Sequence, residues 1–527
     1  MEHLEIILAA LFIAAAGLNV IARWLNVPYP IPLVIGGLLL GLIPGIPEIE
    51  LDPDLVLVIF LPPLLYSAAF FADLRSLRDD LRVITLNAVG LVLATLAIVA
   101  VVGHELMGLP WALSFALGAI VAPTDPVAAT SIMQRLGAPR RLVNIVEGES
   151  LVNDATALVA YRVALGAALG GTFSIADAGL EFVGAAAGGI AVGLGVGYVV
   201  GEIRRKLSDP VTETTISLFT AYGAFIPAEE LHLSGVLAAV SCGVYLGWKA
   251  PYIASAETRL ASFPVWQILT FLLNAALFIL IGLQLPVITE DLSVSVWEAI
   301  GYSLIVWFAV VATRYAWQFA MTGVIRTLDR RPSQVARRAS WRVRVVGGWS
   351  GLRGAVSLAA ALALPFTTDA GDPLPGRDLI LFVTFALILL TVVVQGLTLP
   401  WLIRKVGIQE DGTEEEQEEL TGRYWAAEAA LERIDVLEGE EWTRNDTIER
   451  VRRLYNFRRR RAKVLSGKIE DEDGIQEQSL AYQRLMHEIY AAQRARLVQL
   501  RNEGRVSSDI MRRLEHEIDL EESRLEV

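Results

Sequence analysis

Cysteine is almost absent from this 527-residue chain, which contains only Cys242. An intrachain disulfide is therefore excluded. The C-terminal part also lacks a glycine-rich phosphate loop, the ligand spacing of a zinc site and a catalytic triad. We therefore expect neither a cofactor nor an enzymatic activity. A basic region is missing before the first apolar segment, near residues 4–24, which follows acidic Glu2. We predict that this segment is a retained membrane span and not a cleaved signal peptide.

Apolar residues make up 54% of the chain and the mean hydropathy is +0.48, whereas soluble domains are about 45–50% apolar. The apolar runs occupy residues 1 to about 404, and residues 405–527 are highly charged. We predict an all-α membrane domain over 1–404 and a helical cytosolic tail over 405–527. The net charge of −13 says little about the substrate, because much of the acid lies in the tail, for example at Glu414–Glu416. We expect no nucleic acid partner.

About thirteen segments are predicted to span the membrane, since a spanning helix needs roughly 20 residues. In chain order, spans one to thirteen cover residues 4–24, 30–46, 53–71, 84–106, 111–134, 141–170, 178–203, 212–229, 232–248, 263–288, 297–325, 343–366 and 378–403.

The joints between these spans alternate in charge. Basic residues mark one side, for example Arg75–Arg82 and Arg204–Lys206, and acidic residues mark the other, for example Glu48–Asp52. By the positive-inside rule, the N-terminus lies outside and the C-terminal tail is cytoplasmic. An odd number of spans agrees with this orientation. The sequence therefore predicts a multi-pass protein of the plasma membrane, with the lipid bilayer as a partner.

Spans five and twelve are both interrupted. Span five contains Pro123-Thr124-Asp125-Pro126, and span twelve contains the glycine-rich stretch Gly347–Gly354. The two spans lie seven apart, so they cross the membrane in opposite directions. Two discontinuous helices related in this way are typical of inverted repeats in secondary transporters. The alternative for span twelve is that its glycines only allow close helix packing.

Span six carries three carboxylates, Glu147, Glu149 and Asp154, inside an apolar region. Asp154 lies 13 residues after Arg141, which corresponds to roughly 20 Å of helix. Asp125 in span five comes out at a similar depth. Ionisable residues at such depth are costly, and by default they mark an ion or proton pathway.

A small monovalent cation is bound by oxygens from carboxylates, hydroxyls and backbone carbonyls. Asp154, Ser150, Thr124 and the carbonyls around Asp125 are candidates for this role, and no histidine lies near them. Pro123 and Pro126 leave neighbouring carbonyls without helical donors, and Asn153 is a second possible partner for these carbonyls. If one carboxylate binds either a proton or a cation, competition for it is sufficient for antiport.

The same segments resemble the monovalent cation/proton antiporter family, which includes bacterial NhaP-type proteins and animal sodium/proton exchangers. The Asn-Asp motif of that family is similar to Gly148–Val159. Further similar stretches are Phe60–Pro63, Thr124–Ala129, Gly351–Ala359, and Asn274 with Leu277–Gly282. The resemblance covers residues 1 to about 404 and does not extend into the tail.

By this resemblance, Asp154 is the carboxylate that binds Na⁺ and the proton, and Thr124, Asp125 and Ser150 line its site. Asn153 steadies the crossing of the two interrupted helices. Glu149, which the residues alone also suggest as a partner for a buried Arg353, forms an ion pair with it. The family implies thirteen spans, a homodimer and an elevator movement. It also implies electroneutral exchange, since Asn153 precedes Asp154.

Three alternatives to a Na⁺/H⁺ antiporter stay open. A K⁺/H⁺ antiporter uses the same residues. A membrane-anchored sensor that works through its tail has no need of Asp154. An intramembrane hydrolase built on Ser150 lacks a histidine or lysine base in helical register.

Overall fold

The structure is a computed structural model. It describes residues 4–25, 27–43, 53–170, 175–290, 292–328, 338–409, 413–471 and 474–525. Within these ranges the regular elements are helices, apart from an isolated β-bridge between Thr367 and Pro373. Backbone contacts divide the chain into a unit of Met1–Gln409 and a unit of Glu410–Val527.

The first unit contains sixteen helices among the described residues. They are α1 Leu4–Leu25, α2 Pro30–Gly41, α3 Pro53–Phe70, α4 Leu74–Asp79, α5 Leu81–Glu105, α6 Trp111–Val121, α7 Pro126–Arg135, α8 Arg140–Leu169, α9 Ile175–Arg204, α10 Pro210–Glu230, α11 Gly235–Ile253, α12 Ala256–Glu290, α13 Val296–Leu328, α14 Trp341–Trp349, α15 Ala355–Leu362 and α16 Arg377–Val406. Within the described residues, every predicted span coincides with one of these helices or with a pair of them, and residues 44–46 of span two lie outside the described residues.

By length and composition, seven helical segments of the described residues could cross a membrane. They are Leu81–Glu105, Trp111–Arg135, Val183–Arg204, Gly235–Ile253, Ala256–Gln284, Val296–Thr327 and Arg377–Val406. Three apolar helices are shorter: Ile13–Leu25, Pro30–Gly41 and Val58–Phe70. The all-helical fold is as predicted, and the total of thirteen spans stays a prediction.

Spans five and twelve are each split into two helices. The first break separates α6 from α7, where Asp125 is the N-cap and Pro126 the first residue of α7. Proline suits this position because a backbone N–H at the first residue of a helix has no partner within the helix, so its loss in proline costs no hydrogen bond. The second break, Ser350–Gly354, separates α14 from α15.

Two other helices contain a short π-helical stretch, Leu86–Leu91 in α5 and Leu390–Gln395 in α16. Such stretches are rare and are often found at functional sites. They contain Asn87 and Thr391, both buried, and both side chains reach groups of the site described below.

The largest apolar cluster of this unit contains buried residues of many helices, including one half of each interrupted span, α6 and α15. Leu117 of α6, Tyr161 of α8, Leu358 of α15 and Phe385 of α16 belong to it. Burial of this apolar surface fixes the relative positions of the interrupted helices and α8.

The second unit consists of α17 Thr413–Leu437, α18 Asn445–Leu465, α19 Ile475–Asn502 and α20 Ser508–Glu522. Leu431 and Ile434 of α17 pack on Ile448 of α18. Arg494 of α19 forms ion pairs with Asp519 and Glu522 of α20. The tail therefore contains two helical hairpins.

Candidate functional site

The breaks of the two interrupted helices meet at one point. The backbone N–H of Asp125 donates a hydrogen bond of 2.8 Å to the carbonyl oxygen of Leu352, which lies in the second break. Helix ends leave peptide groups without partners, and this bond pairs two of them. It joins the predicted cation ligands of span five to unwound backbone of span twelve.

Gly354 makes this close approach possible. A Cβ atom at residue 354 would lie only 1.9 Å from Asp125 Oδ2, so any side chain there would displace the carboxylate. Asp125 Oδ1 also accepts a hydrogen bond of 2.9 Å from the N–H of Val127. A negative charge at this helix N-terminus is favourable, and the bond fixes the orientation of the carboxylate.

Helix α8 binds the first break through Thr124. Ser150 Oγ donates a hydrogen bond of 2.8 Å to the carbonyl oxygen of Thr124, and Asn153 Nδ2 donates one of 2.8 Å to Thr124 Oγ1. The three residues are buried. Residues three apart are neighbours on a helix, so Ser150 and Asn153 together hold the broken segment against α8.

Asp154 follows directly on α8 and has different surroundings. It is 5% exposed, and no donor among the described residues is hydrogen-bonded to its carboxylate. A buried ionised carboxylate without a partner is unfavourable by several kcal/mol or more. A negative charge on Asp154 is therefore not compensated by any hydrogen-bond donor of the described residues.

A cavity of about 690 Å³ lies beside Asp154. Its polar lining includes Ser67, Thr124, Asp125, Glu147, Ser150, Asp154, Thr270, Asn274 and Ser357. The cavity also reaches Asp73 and Gln134, which are exposed. These two residues adjoin the arginine-rich joints, so the cavity links Asp154 to that end of the unit. Towards the other end, Tyr161 of α8 belongs to the large apolar cluster.

Glu149 does not form the predicted ion pair with Arg353. It forms an ion pair with Arg314 of α13, whose Nη2 lies 3.3 Å from Glu149 Oε2, and it accepts a hydrogen bond of 3.1 Å from Asn87 Nδ2. Glu149 and Arg314 are 2% and 3% exposed. The predicted partner is therefore wrong, because Arg314 is the guanidinium turned towards Glu149.

Arg353 binds carbonyl oxygens instead. Its Nε donates a hydrogen bond of 3.0 Å to the carbonyl of Val121, at the end of α6, and its Nη1 donates to the carbonyl of Gly351. Its backbone N–H donates to Thr391 Oγ1 at 3.1 Å. Cations stabilise helix C-termini, so Arg353 stabilises both breaks at their crossing.

The sequence analysis missed Arg314 and Asn87 as site residues. Arg314 gives a usable signal, because it lies near the middle of the 33-residue apolar helix α13, where a charge needs an internal partner. The sequence around Asn87 does not indicate that this residue belongs to the site, because its orientation depends on the π-helical stretch of α5.

Comparison with known proteins identifies the family. Residues 7–405 match the family model described as sodium/hydrogen exchanger, transmembrane. The chain is 35% identical over 99% of its length to an uncharacterised Na⁺/H⁺ exchanger of Mycobacterium bovis, covering 96% of that protein. It is 33% identical to the Na⁺/H⁺ antiporter ApNhaP of Aphanothece halophytica, covering 82% of this chain and 80% of that protein.

A third relative is the sodium, potassium, lithium and rubidium/H⁺ antiporter of Bacillus subtilis, at 32% identity over 76% of this chain and 62% of that protein. Among solved structures, the sodium proton antiporter MjNhaP1 of Methanocaldococcus jannaschii has the same fold, with a TM-score of 0.60 at 20% identity over 78% of this chain and all of that one. The chain thus belongs to the family of transmembrane sodium/hydrogen exchangers and is a monovalent cation/proton antiporter.

Proposed function

We propose that the protein exchanges Na⁺ for H⁺ and that Asp154 binds the two ions in turn. The main support for this proposal is that Asp154 is buried, has no hydrogen-bond donor among the described residues, and lines the cavity. Asp125, Thr124 and Ser150 complete the proposed cation site, because their oxygens lie in the same cavity lining. Asn153 contributes indirectly, since its amide holds Thr124.

Alternating access by an elevator movement is part of this proposal. The cavity is lined by Thr124, Asp125 and Asp154 of the crossing and also by Phe271 and Asn274 of α12. The hydrogen bonds that join the crossing to α8 support its movement as one body. In that movement, Asp154 would pass along α12 and become accessible from the opposite end.

The remaining parts of the proposal concern charge, location and assembly. One carboxylate that alternates between one Na⁺ and one H⁺ makes the exchange electroneutral. The arginine-rich joints favour a plasma-membrane protein with its N-terminus outside and the tail of 405–527 in the cytoplasm. We also propose a homodimer, as the family resemblance implies.

A K⁺/H⁺ antiporter is the second candidate, because the Bacillus subtilis relative is a sodium, potassium, lithium and rubidium/H⁺ antiporter. The proposed oxygen ligands do not distinguish these alkali cations by chemical type.

Purified protein in vesicles with a pH-sensitive dye tests both candidates. Na⁺ added to acid-loaded vesicles should raise the internal pH, and K⁺, Li⁺ and Rb⁺ should be compared at the same concentration. Clamping the membrane potential at different values should leave the rate unchanged. Absence of any cation-dependent pH change would reject the proposed exchange, and dependence on the clamped potential would reject electroneutrality.

A further inference from the structure

Helix α18 has an unusual charge for this acidic chain. It contains eight basic and two acidic side chains, whereas its hairpin partner α17 contains two basic and eight acidic ones. The two helices are therefore electrostatically complementary, and part of the positive charge of α18 serves the contact between them.

The arginines of α18 that face α17 have defined partners. Arg452 Nη2 lies 2.8 Å from Asp435 and 2.8 Å from Glu438, and Arg459 Nη1 lies 3.1 Å from Glu428. Ile448 on the same helix is buried in the hairpin. This side of α18 therefore packs against α17 in the hairpin, and its arginines Arg452 and Arg459 are paired with acidic residues.

A different side of α18 exposes arginines together with large apolar groups. Arg450, Arg453, Leu454 and Phe457, which we term the outer stripe, follow one another at i, i+3, i+4 and i+7, so they lie on one helix face. Leu454 is 47% and Phe457 36% exposed, and both arginines are exposed. Among the described residues, neither arginine of the outer stripe has an ion-pair partner.

This composition suits the surface of an anionic bilayer. Arginine side chains bind lipid phosphates while leucine and phenylalanine enter the boundary between headgroups and acyl chains. A single exposed helix face is convex, so it offers no groove for a peptide.

The chain also keeps α18 near a membrane. The last apolar helix, α16, ends at Val406 beside Arg404 and Lys405, and α17 begins at Thr413. Because α17 has 25 residues, it measures roughly 37 Å. The attachment therefore holds α18 at a high effective concentration near the bilayer, so a weak surface affinity is enough for binding.

We propose that the outer stripe of α18 binds anionic phospholipid at the membrane surface. The inference concerns the tail alone and goes beyond the exchange of ions at Asp154. In this arrangement the α17–α18 hairpin lies on the bilayer, and the lipid composition of that leaflet sets how much of the tail is bound.

The test is acrylamide quenching of a fluorophore on the full-length protein in vesicles. Cys242 is fully buried, so a Thr447→Cys substitution provides a single reactive thiol at an exposed position three residues before Arg450 and on the same helix face. Gln493→Cys, exposed on α19, gives the matched control position. Acrylamide is neutral, so the surface charge of the vesicles does not change its local concentration.

We expect lower quenching at residue 447 in phosphatidylcholine vesicles containing about 30% phosphatidylglycerol than in pure phosphatidylcholine, because the anionic lipid attracts the stripe. High salt should reverse the difference. Replacing Arg450 and Arg453 by glutamine should weaken the docking equilibrium about thirtyfold. Replacing Arg496 and Arg501, which are exposed on α19, should leave it nearly unchanged.

The apolar part of the stripe has its own control. Leu454→Ser with Phe457→Ser should abolish the protection, whereas Leu480→Ser with Leu485→Ser, at still more exposed positions of α19, should not. Equal quenching at residue 447 in both vesicles, protection that survives without Arg450 and Arg453, or equal protection at residue 493 would overturn the proposal. Quenching does not involve ion flux, so such a failure would leave the proposed exchange intact.

Discussion

Glu149 and Asp154 are carboxylates on the same buried segment of α8, yet their surroundings are opposite. Glu149 is held by Arg314 and Asn87, whereas Asp154 has no donor among the described residues and lines the cavity. Burial alone therefore does not separate the two roles that we propose for these carboxylates. The difference lies in the partner: Glu149 has a fixed counter-charge, and the proposed exchange uses Asp154, which has none among the described residues.

Asp154→Asn should have the largest effect and abolish exchange. The amide cannot take up a proton and carries no charge for a cation. Folding should be retained, because the change is nearly isosteric and breaks no hydrogen bond of the described residues. Cation-dependent pH change in vesicles is the measurement.

Asp209→Asn is the matched control, since Asp209 caps α10 and accepts a hydrogen bond from the N–H of Thr212. Asparagine caps helices equally well, so this variant should transport normally. Near-normal exchange by Asp154→Asn would remove Asp154 from the mechanism and with it the contrast to Glu149.

Arg314→Ala should destabilise the protein by about 3–5 kcal/mol, because Glu149 is then buried without its counter-charge. Thermal unfolding of the purified protein measures this loss. In a double-mutant cycle, Glu149→Gln and Arg314→Ala should be coupled. Glu149→Gln and Arg353→Ala should be coupled more weakly, since Arg353 is hydrogen-bonded to carbonyl oxygens and not to Glu149. Stronger coupling to Arg353 than to Arg314 would restore the ion pair predicted from sequence.

Gly354→Ala should lower the exchange rate by roughly 100-fold, since the new methyl group displaces Asp125 and a shift of about 1 Å in a site can have that effect. Gly166→Ala, also in the membrane unit but with open space around its Cβ position, is the matched control. Rates come from the vesicle assay at saturating Na⁺. Equal rates for the two variants would show that the position of Asp125 is unimportant.

Truncation after residue 412 should have the smallest effect. The first unit ends at Gln409 by its own contacts, and every proposed site residue precedes it. The truncated protein should fold and exchange ions, with at most a shifted pH profile. Complete loss of exchange by folded truncated protein, measured beside the full-length protein in the same vesicles, would make the tail part of the transport machinery.

Sequence reasoning predicted the elements of the site that depend on chain order. The interruptions follow from Pro123, Pro126 and the glycines of span twelve. The depth of Asp154 in the bilayer, counted along a helix, stays a prediction. The partner of Glu149 could not be obtained in this way. Arg314 and Arg353 are both arginines inside predicted apolar spans, and the choice between them depends on how each helix is rotated. The π-helical stretches that turn Asn87 and Thr391 inward leave no recognisable pattern.

The tail shows the same limit. Its helices were predictable from composition, and the basic run Arg458–Arg461 is visible in the sequence. The sequence did not predict that some arginines of α18 face α17 and others lie in the outer stripe. This division depends on the ion pairs of Arg452 and Arg459 with acidic residues of α17, which only the packed hairpin shows.

The two hydrogen bonds that Thr124 accepts from Ser150 and Asn153 have a consequence for ion preference. They bind the oxygens of the first break to the helix that carries Asp154, so in the proposed mechanism the same ligands stay together as the ion passes from one side to the other. The ranking of Na⁺ against Li⁺ or K⁺ should therefore be the same from both faces of the bilayer. A difference in apparent affinity between the faces would then reflect hydration and access along each path, and not a second, differently built set of ligands.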